Sequence, residues 1–357
     1  MTSGKFPVPR LALAGGYTAG HVMPMLAVAE SWQKRFPSPP PVFMGQSGGM
    51  EEDLLTSAGF PFLGVAGRPL FGVRGPIGRL GSYAATARGI LQARRQLRRE
   101  GIGLVLGFGS YVTAGIVLAG KSLGLTTAIF EANLLPGLAN RRLARHVDMR
   151  FVNWPDSRRH PGWHDAVVVG QPVRRAVTRA ASAQDAGGNR LLVTGGSLGS
   201  RFLNERVPPL VARLCAGAPP PQVFHQAGRG MEDEVAARYA ELGIAATVVG
   251  FADLADRWGW ADAAICAAGA VTLAEARVQG VPTLVVPIKA VADDHQTLNA
   301  RAYSQATGHP WVGEDDWDEG REAQRLAALL AGGRTGTGAN DAADAIVAAI
   351  ARHLSLD

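Results

Sequence analysis

The sequence predicts an α/β protein of two domains, each built on a doubly wound parallel sheet, and three observations carry that expectation. Its 357 residues exceed what one ordinary α/β core occupies, at roughly 150 residues per domain. Short apolar runs alternate with helical patterns along the whole chain, the signature of repeated β-α units. The two halves also open alike, with "LALAGGYTAGH" from residue 11 and "LLVTGGSLGSRFLN" from residue 191. Each is an apolar strand, a Gly-Gly turn, a hydroxyl residue and the start of a helix.

In chain order, strands are expected at 11–14 (LALA), 41–44 (PVFM), 104–107 (LVLG), 126–130 (TTAIF) and 167–169 (VVV). A second set follows at 191–194 (LLVT), 247–250 (TVVG), 263–266 (AAIC) and 283–287 (TLVVP). Between the sets, residues 174–190 are poor in large apolar side chains and rich in Ala, Gly and polar groups, which reads as a domain connection. The boundary is placed near Gln171 to Asn189, giving an N-terminal domain of residues 1–173 and a C-terminal domain of 174–340. Residues 341–357 are expected to form a C-terminal helix that packs back on the first domain. Two such domains imply a cleft.

Composition removes several classes. Aromatic residues are sparse and apolar content is 47%, as in a globular chain rather than a disordered or fibrous one. The N-terminus lacks the apolar stretch of a secretory leader, and no window reaches the roughly 18 uncharged apolar residues that a membrane span needs. Cys215 and Cys266 lie far apart in apolar surroundings, so buried free thiols are expected rather than a disulfide, and no zinc site is supported. The net charge of +6 is uneven: residues 1–173 hold 19 Lys and Arg against 9 Asp and Glu, whereas 174–357 hold 17 against 21. The basic half is the one expected to meet an anionic surface, and nucleic acid is not expected as a partner.

The Gly-Gly turns suit either close strand–helix packing or anion binding, because a helix N-terminus offers unpaired N–H groups and partial positive charge. A diphosphate fits two such corners. A dinucleotide oxidoreductase is disfavoured: position 17 is Tyr rather than the second Gly of GxGxxG, and the second strand ends in Gly45 and Gln46 rather than an acid. No GxxxxGK[ST] occurs. In "CAAGAVTLAEARVQGVPTLVVPIKAVADDHQTLNARAY", residues 266–303, a helix is expected to begin near Val271 and to carry Glu275 in its first turn. Glu275 there either complements the helix dipole or accepts hydrogen bonds from a sugar diol. Asp293 and Asp294 read as a solvated helix start.

Beyond single motifs, the chain resembles the lipid-I N-acetylglucosaminyltransferase family of bacterial peptidoglycan synthesis (MurG). The likeness runs through "LAGGYTAGHVMP", "GFGSYVTAG", "EANLLPGLANR", "VGQPVR", "GGSLGSRFLNERVP", "GAVTLAEARVQGVP" and "DDHQTLNA", in order from residue 11 to about 303. It implies a GT-B fold, two Rossmann-like domains with UDP-N-acetylglucosamine held mainly by the second. It further implies inverting transfer to the 4-hydroxyl of the muramic acid of an undecaprenyl-diphosphate-linked acceptor. Carried over, Glu275 is expected to hold the ribose hydroxyls, Phe251 and Ala252 the uracil, and Ser197 a phosphate oxygen. Ala270, Val271 and Thr272, with His295, Gln296, Asn133 and Arg174, are expected to line the donor sugar and diphosphate. Thr18, Ala19, Gly20 and His21 come from the first domain, with His21 as the catalytic base.

An imidazole titrating near 6.5 suits that role, and a helix N-terminus is expected to keep it neutral. Helix N–H groups and Arg174 are expected to meet the leaving-group charge, so no cofactor is required; no DxD pair follows a strand, and a divalent metal is not implied. Departures from the family pattern leave the acceptor open: Ala132 in an otherwise Glu-Gln-Asn run (Glu131, Ala132, Asn133), Phe130 for a His, Ser110 for a Gly and Leu198 for a Gln. A paralogue with another lipid-linked or natural-product acceptor, or a catalytically weak UDP-sugar-binding protein, is the alternative. Residues 68–99 join Leu70, Phe71, Ile77, Leu80 and Tyr83 to a run of arginines without an acid, so peripheral docking on an anionic bilayer at the cytoplasmic face is expected.

Overall fold

The computed structural model describes residues 8–16, 19–37, 39–48, 52, 55–56, 58–66, 76–180, 189–215, 219–289, 294–334 and 339–356, without the side chains of 19, 76–81, 83–84 and 180. The chain divides into two compact units, Met1–Pro172 with Asp341–Asp357, and Val173–Asn340.

The first unit runs β1 (Arg10–Ala14), α1 (Ala19–Arg35), β2 (Val42–Gln46), β3 (Phe62–Val65), α2 (Pro76–Arg99), β4 (Ile102–Gly107), α3 (Tyr111–Lys121), β5 (Thr126–Glu131), α4 (Leu138–Leu143), β6 (Met149–Val152) and β7 (Val167–Val168). Its seven strands are parallel in the order β3-β2-β1-β4-β5-β6-β7. Both faces are covered, which is why β1 is apolar throughout: Leu11 and Leu13 enter one core with Val22, Met25 and Trp32, and Ala12 and Ala14 enter the other with Val105, Ile116 and Val117.

The second unit holds α5 (Arg175–Ala180), β8 (Arg190–Thr194), α6 (Arg201–Cys215), β9 (Gln222–Gln226), α7 (Glu232–Glu241), β10 (Ala246–Val249), α8 (Ala255–Trp260), β11 (Ala263–Cys266), α9 (Ala270–Gln279), β12 (Thr283–Val285), α10 (His295–Thr307) and α11 (Glu319–Ala331). Its five strands are also parallel, in the order β10-β9-β8-β11-β12. Numbered within each unit, the first five strands share the order 3-2-1-4-5 of doubly wound nucleotide-binding sheets. After the second unit the chain returns to the first as α12 (Ala342–His353), whose Ile346, Val347 and Ile350 complete the core beside Val22, Met25 and Trp32. Ser31 Oγ donates to Asp344 Oδ1 at 2.5 Å across that contact.

Two expectations need correction. Residues 175–180 are a helix of the second unit rather than open connection: Val177 is fully buried with Val173, Ala255 and Val278. Strands β3, β6 and β9 escaped the apolar-run criterion because Gly64, Arg150 and His225 interrupt them. Both cysteines are free, although only Cys266 is fully buried; burial pushes its thiol up to about 12. Among the described residues no helix is long and apolar enough to cross a membrane. On α2, Ala93 and Leu97 are buried while Leu91, Arg88, Arg95 and Arg98 face outward. Leu70 and Phe71 of the expected docking segment lie outside the described residues, as do the side chains of Ile77, Leu80 and Tyr83.

Candidate active site

In a doubly wound sheet, the crevice outside the strand ends where the order reverses is the place a ligand can reach backbone N–H groups. In the second unit that place lies between β8 and β11, where Thr194 pairs with Cys266. From β8 leads the turn Gly195–Ser200, which carries Ser197. Gly199 sits at φ +74, and a Cβ on it would collide with the Ala227 carbonyl, so only glycine lets this turn lie against the end of β9. Ser200 then caps α6, its Oγ accepting from Leu203 N at 3.3 Å. Leu198 projects from the turn 65% exposed.

From β11 the chain enters α9 through Gly269, which provides no side-chain cap. The first-turn N–H groups of Ala270, Val271 and Thr272 thus start a helix whose positive end is left to a ligand or water. Glu275 is in the second turn of this helix, not the first, so it cannot complement the dipole as a first-turn acid does. It is only 8% exposed, and its Oε2 accepts from Trp258 Nε1 at 2.9 Å. Burial pushes its carboxyl up to about 7, against the opposing pull of Arg174 and of the Trp258 hydrogen bond.

Arg174 is paired with Asp253. Its guanidinium forks onto Asp253, Nη1 to Oδ2 at 2.8 Å and Nη2 to Oδ1 at 2.6 Å, and Arg174 holds the Asp253 carboxyl below its ordinary value. Asp253 follows Phe251 and Ala252 in the turn after β10; the Arg229 guanidinium lies 5.5 Å from the Phe251 ring centre, and Ala252 N donates to Gln226 Oε1 at 3.0 Å. Gln296 is paired too: its Oε1 accepts from Ala268 N at 3.0 Å and from Ile288 N at 2.9 Å, tying the entrance of α9 to the strand beside it. His295 opens α10 after Asp294, which takes the left-handed conformation at φ 51 and gives no side-chain cap. Asp293 lies outside the described residues.

The first unit reverses between β1 and β4, where Ala14 pairs with Gly107. Ala19 and Gly20 open α1 and His21 follows, partly exposed; Thr18 lies outside the described residues. Burial lowers the His21 pKa and so favours neutral imidazole, while its hydrogen bond with the Gly16 backbone opposes the shift. The direction favours the expected neutral form, but its leading cause is desolvation and not the expected helix N-terminus. Gly109, at φ +90, faces the ring across the switch point: a Cβ there would stand 3.4 Å from His21 Nε2 and 3.8 Å from Asn140 Nδ2. The following Ser110 takes φ 84 and caps α3, its Oγ accepting from Thr113 N at 3.4 Å.

Asn133 sits in a loop organised by Glu131. One carboxylate oxygen accepts from Asn133 N at 2.9 Å and Asn133 Nδ2 at 3.2 Å, the other from Gly137 N and Asn140 Nδ2, both at 2.9 Å. Phe130, by contrast, is buried against Phe108 with ring centres 5.6 Å apart, so that departure belongs to the core. Each unit therefore gathers its own candidates: His21, Gly20 and Asn133 in the first, and Arg174, Ser197, Phe251, Ala252, Ala270, Val271, Thr272, Glu275, His295 and Gln296 in the second. Asp253, Trp258 and Gln226 were missed in the sequence because their part is to hold other site residues, a role without a local motif. Among the described residues, no three His, Cys, Asp or Glu side chains gather as a metal would need.

The glycosyltransferase family 28 N-terminal domain matches residues 11–152, and the glycosyltransferase family 28 C-terminal domain matches residues 190–334. A protein of Alkalilimnicola ehrlichii named UDP-N-acetylglucosamine–N-acetylmuramyl-(pentapeptide) pyrophosphoryl-undecaprenol N-acetylglucosamine transferase is 37% identical over 330 residues, covering 91% of this chain and 90% of its own. A protein of the same name from Sorangium cellulosum is 38% identical over 325 residues, 89% of this chain and 80% of its own. Among solved structures, Acinetobacter baumannii MurG superposes with a TM-score of 0.70 at 25% identity, covering 96% of this chain and all of that one.

The raised Glu275 pKa has a measurable consequence. The folded protein holds a proton there up to about pH 7 whereas the unfolded chain releases it near 4.5, so this group's contribution to stability is complete below 4.5 and is lost as pH rises through 7. Glu275→Gln keeps an acceptor for Trp258 and does not titrate. Denaturant unfolding at pH 4.5 and pH 8 is expected to show the wild type losing about 3 kcal/mol relative to the variant. Parallel pH profiles would mean that Glu275 ionises in the fold as it does in an open chain.

Proposed function

The chain belongs to glycosyltransferase family 28, and we propose that it transfers N-acetylglucosamine from UDP-N-acetylglucosamine to the undecaprenyl-diphosphate-linked muramoyl-pentapeptide, converting lipid I to lipid II. The observation that carries this reading is the likeness to transferases of that name across both units, at 37% identity over nine-tenths of the chain.

In the mechanism we infer, the second unit holds the donor. Glu275 accepts the ribose hydroxyls, the turn of Phe251 and Ala252 takes the uracil, and Ser197 with the first turn of α9 takes the diphosphate. The first unit supplies the base. Neutral His21 accepts the proton of the muramic acid 4-hydroxyl as its oxygen bonds to the anomeric carbon from the face opposite the diphosphate. The bond from that carbon to the diphosphate oxygen breaks, its electron pair leaves with UDP, and configuration inverts. The uncapped N–H groups of α9 and the Arg174 guanidinium meet the charge that develops on UDP, without a resident metal.

We further propose peripheral attachment at the cytoplasmic face of the membrane. The acceptor's lipid cannot leave the bilayer, residues 1–173 carry an excess of ten positive charges (19 against 9), and α2 turns Leu91 and several arginines outward.

Incubation of purified protein with UDP-N-acetylglucosamine and synthetic lipid I is expected to give a product heavier by one N-acetylhexosamine, with or without chelator. No product from lipid I would move the activity to another acceptor, and loss on chelation alone would restore a metal to the reaction.

His21→Ala is expected to lower kcat by about 10²-fold or more while leaving UDP affinity unchanged, the size of a lost general base. Because burial lowers the His21 pKa, wild-type kcat should fall with acid at a lower pH than an ordinary imidazole would set. A variant with wild-type turnover would remove His21 from the chemistry.

The protein is expected to sediment with phosphatidylglycerol vesicles at low salt and to be released as salt rises. Retention in the supernatant under the low-salt condition would defeat the docking proposal.

A further inference from the structure

We propose that Gln226 is a positioning residue that fixes the separation between the turn reading the nucleobase and the turn binding the diphosphate, so that a nucleotide spanning both is bound more tightly than its parts predict. The inference rests on the donor reading given above for this unit. Gln226 ends β9, the strand that lies between β8 and β10 in the sheet, and is 2% exposed. Its side chain reaches both neighbours. Toward β8, Nε2 donates to Gly196 O at 2.9 Å and to Thr194 Oγ1 at 3.3 Å, at the start of the turn that carries Ser197. Toward β10, Oε1 accepts from Ala252 N at 3.0 Å, in the turn that carries Phe251.

The chemistry of this bridge is directional. An amide presents a donor at one end and an acceptor at the other, and here each end faces the complementary group. A carboxylate would keep the bond from Ala252 N but set an acceptor against the Gly196 carbonyl. A methyl would leave both turns without the bridge. Thr194 Oγ1 also accepts from Gly196 N at 3.1 Å, so the bridge holds Gly196 by its carbonyl directly and by its N–H through Thr194. Ala252, which the family resemblance implies holds the uracil with Phe251, thereby has its N–H spent on Gln226; the base edge must be read by other groups of that turn.

Two turns held at one spacing favour a ligand that bridges them and are indifferent to one that touches a single turn, because the ordering cost is met before binding. Uridine engages the base and ribose positions alone, whereas UDP adds the diphosphate. Calorimetric or competition measurements of both ligands on the full-length wild type, Gln226→Ala and Gln226→Glu make the distinction. Each variant is expected to lose about tenfold in UDP affinity and less than about twofold for uridine. The Glu variant, which conserves volume and one hydrogen bond, serves if the Ala variant does not fold. Equal losses for the two ligands would mark Gln226 as a packing residue and overturn the proposal, as would unchanged affinity for both. Failure of the wild type itself to bind either ligand would instead bring down the donor reading, and the bridge with it.

Discussion

Parallel strands cannot be joined by hairpins; each connection must cross over a face of the sheet, and a sheet covered on both faces has to reverse its winding somewhere. That reversal is the constraint on which the rest of this structure depends. At β1/β4 in the first unit and β8/β11 in the second, the connections leave in opposite directions, so the carboxyl ends of the central strands are not roofed by a helix. His21 and Gly109 meet at the first opening, and Gly195–Ser200 and Gly269–Thr272 converge on the second. The chemistry is placed by topology before any side chain is chosen.

What side chains add is support. Glu131 gathers the loop of Asn133 and Asn140 with four hydrogen bonds, Asp253 holds Arg174 in a fork, Trp258 fixes Glu275, and Gln296 ties two strand ends together. Glu131 and Trp258 are buried, so for these two site order and core satisfaction are the same requirement. Arg174 in particular is only 12% exposed on its side chain, and a guanidinium desolvated to that degree needs a carboxylate partner.

Most of this architecture is legible in the sequence where the physics is local. A strand buried on both faces is a continuous apolar run, which is why LALA, LLVT and AAIC read correctly, and a Gly-Gly turn before a hydroxyl residue marks a strand-to-helix corner. Where the determinant is distant in sequence, the reading fails. QVFHQ looks too polar for a central strand because His225 is satisfied by Tyr239 and Asn204, at 3.1 Å each, from other elements. Residues 175–180 look like a linker because the apolar partners of Val177 lie about eighty to a hundred residues further along. Glu275 lies one turn further along than expected although its helix starts at Ala270, within one residue of the expected Val271, so the start is legible and only the position of the acid along the helix differs.

Burial acts on the two titratable groups at these openings in opposite directions of pKa and toward the same end. It lowers His21 and raises Glu275, favouring the uncharged form of each. For His21 the uncharged form is the one that can accept a proton, so desolvation agrees with the role of base proposed for it. For Glu275 desolvation conflicts with the ribose contact proposed for it, because a carboxylate accepts hydrogen bonds from a diol better than a carboxylic acid does. The protein offsets the conflict with Arg174 and Trp258, both of which stabilise the ionised form and hold the group near the middle of its titration instead of fully protonated. In the donor site proposed above, a ribose supplying two further donors to the same carboxylate would complete the solvation that the fold leaves partial, so the nucleotide itself would set the charge of its own site.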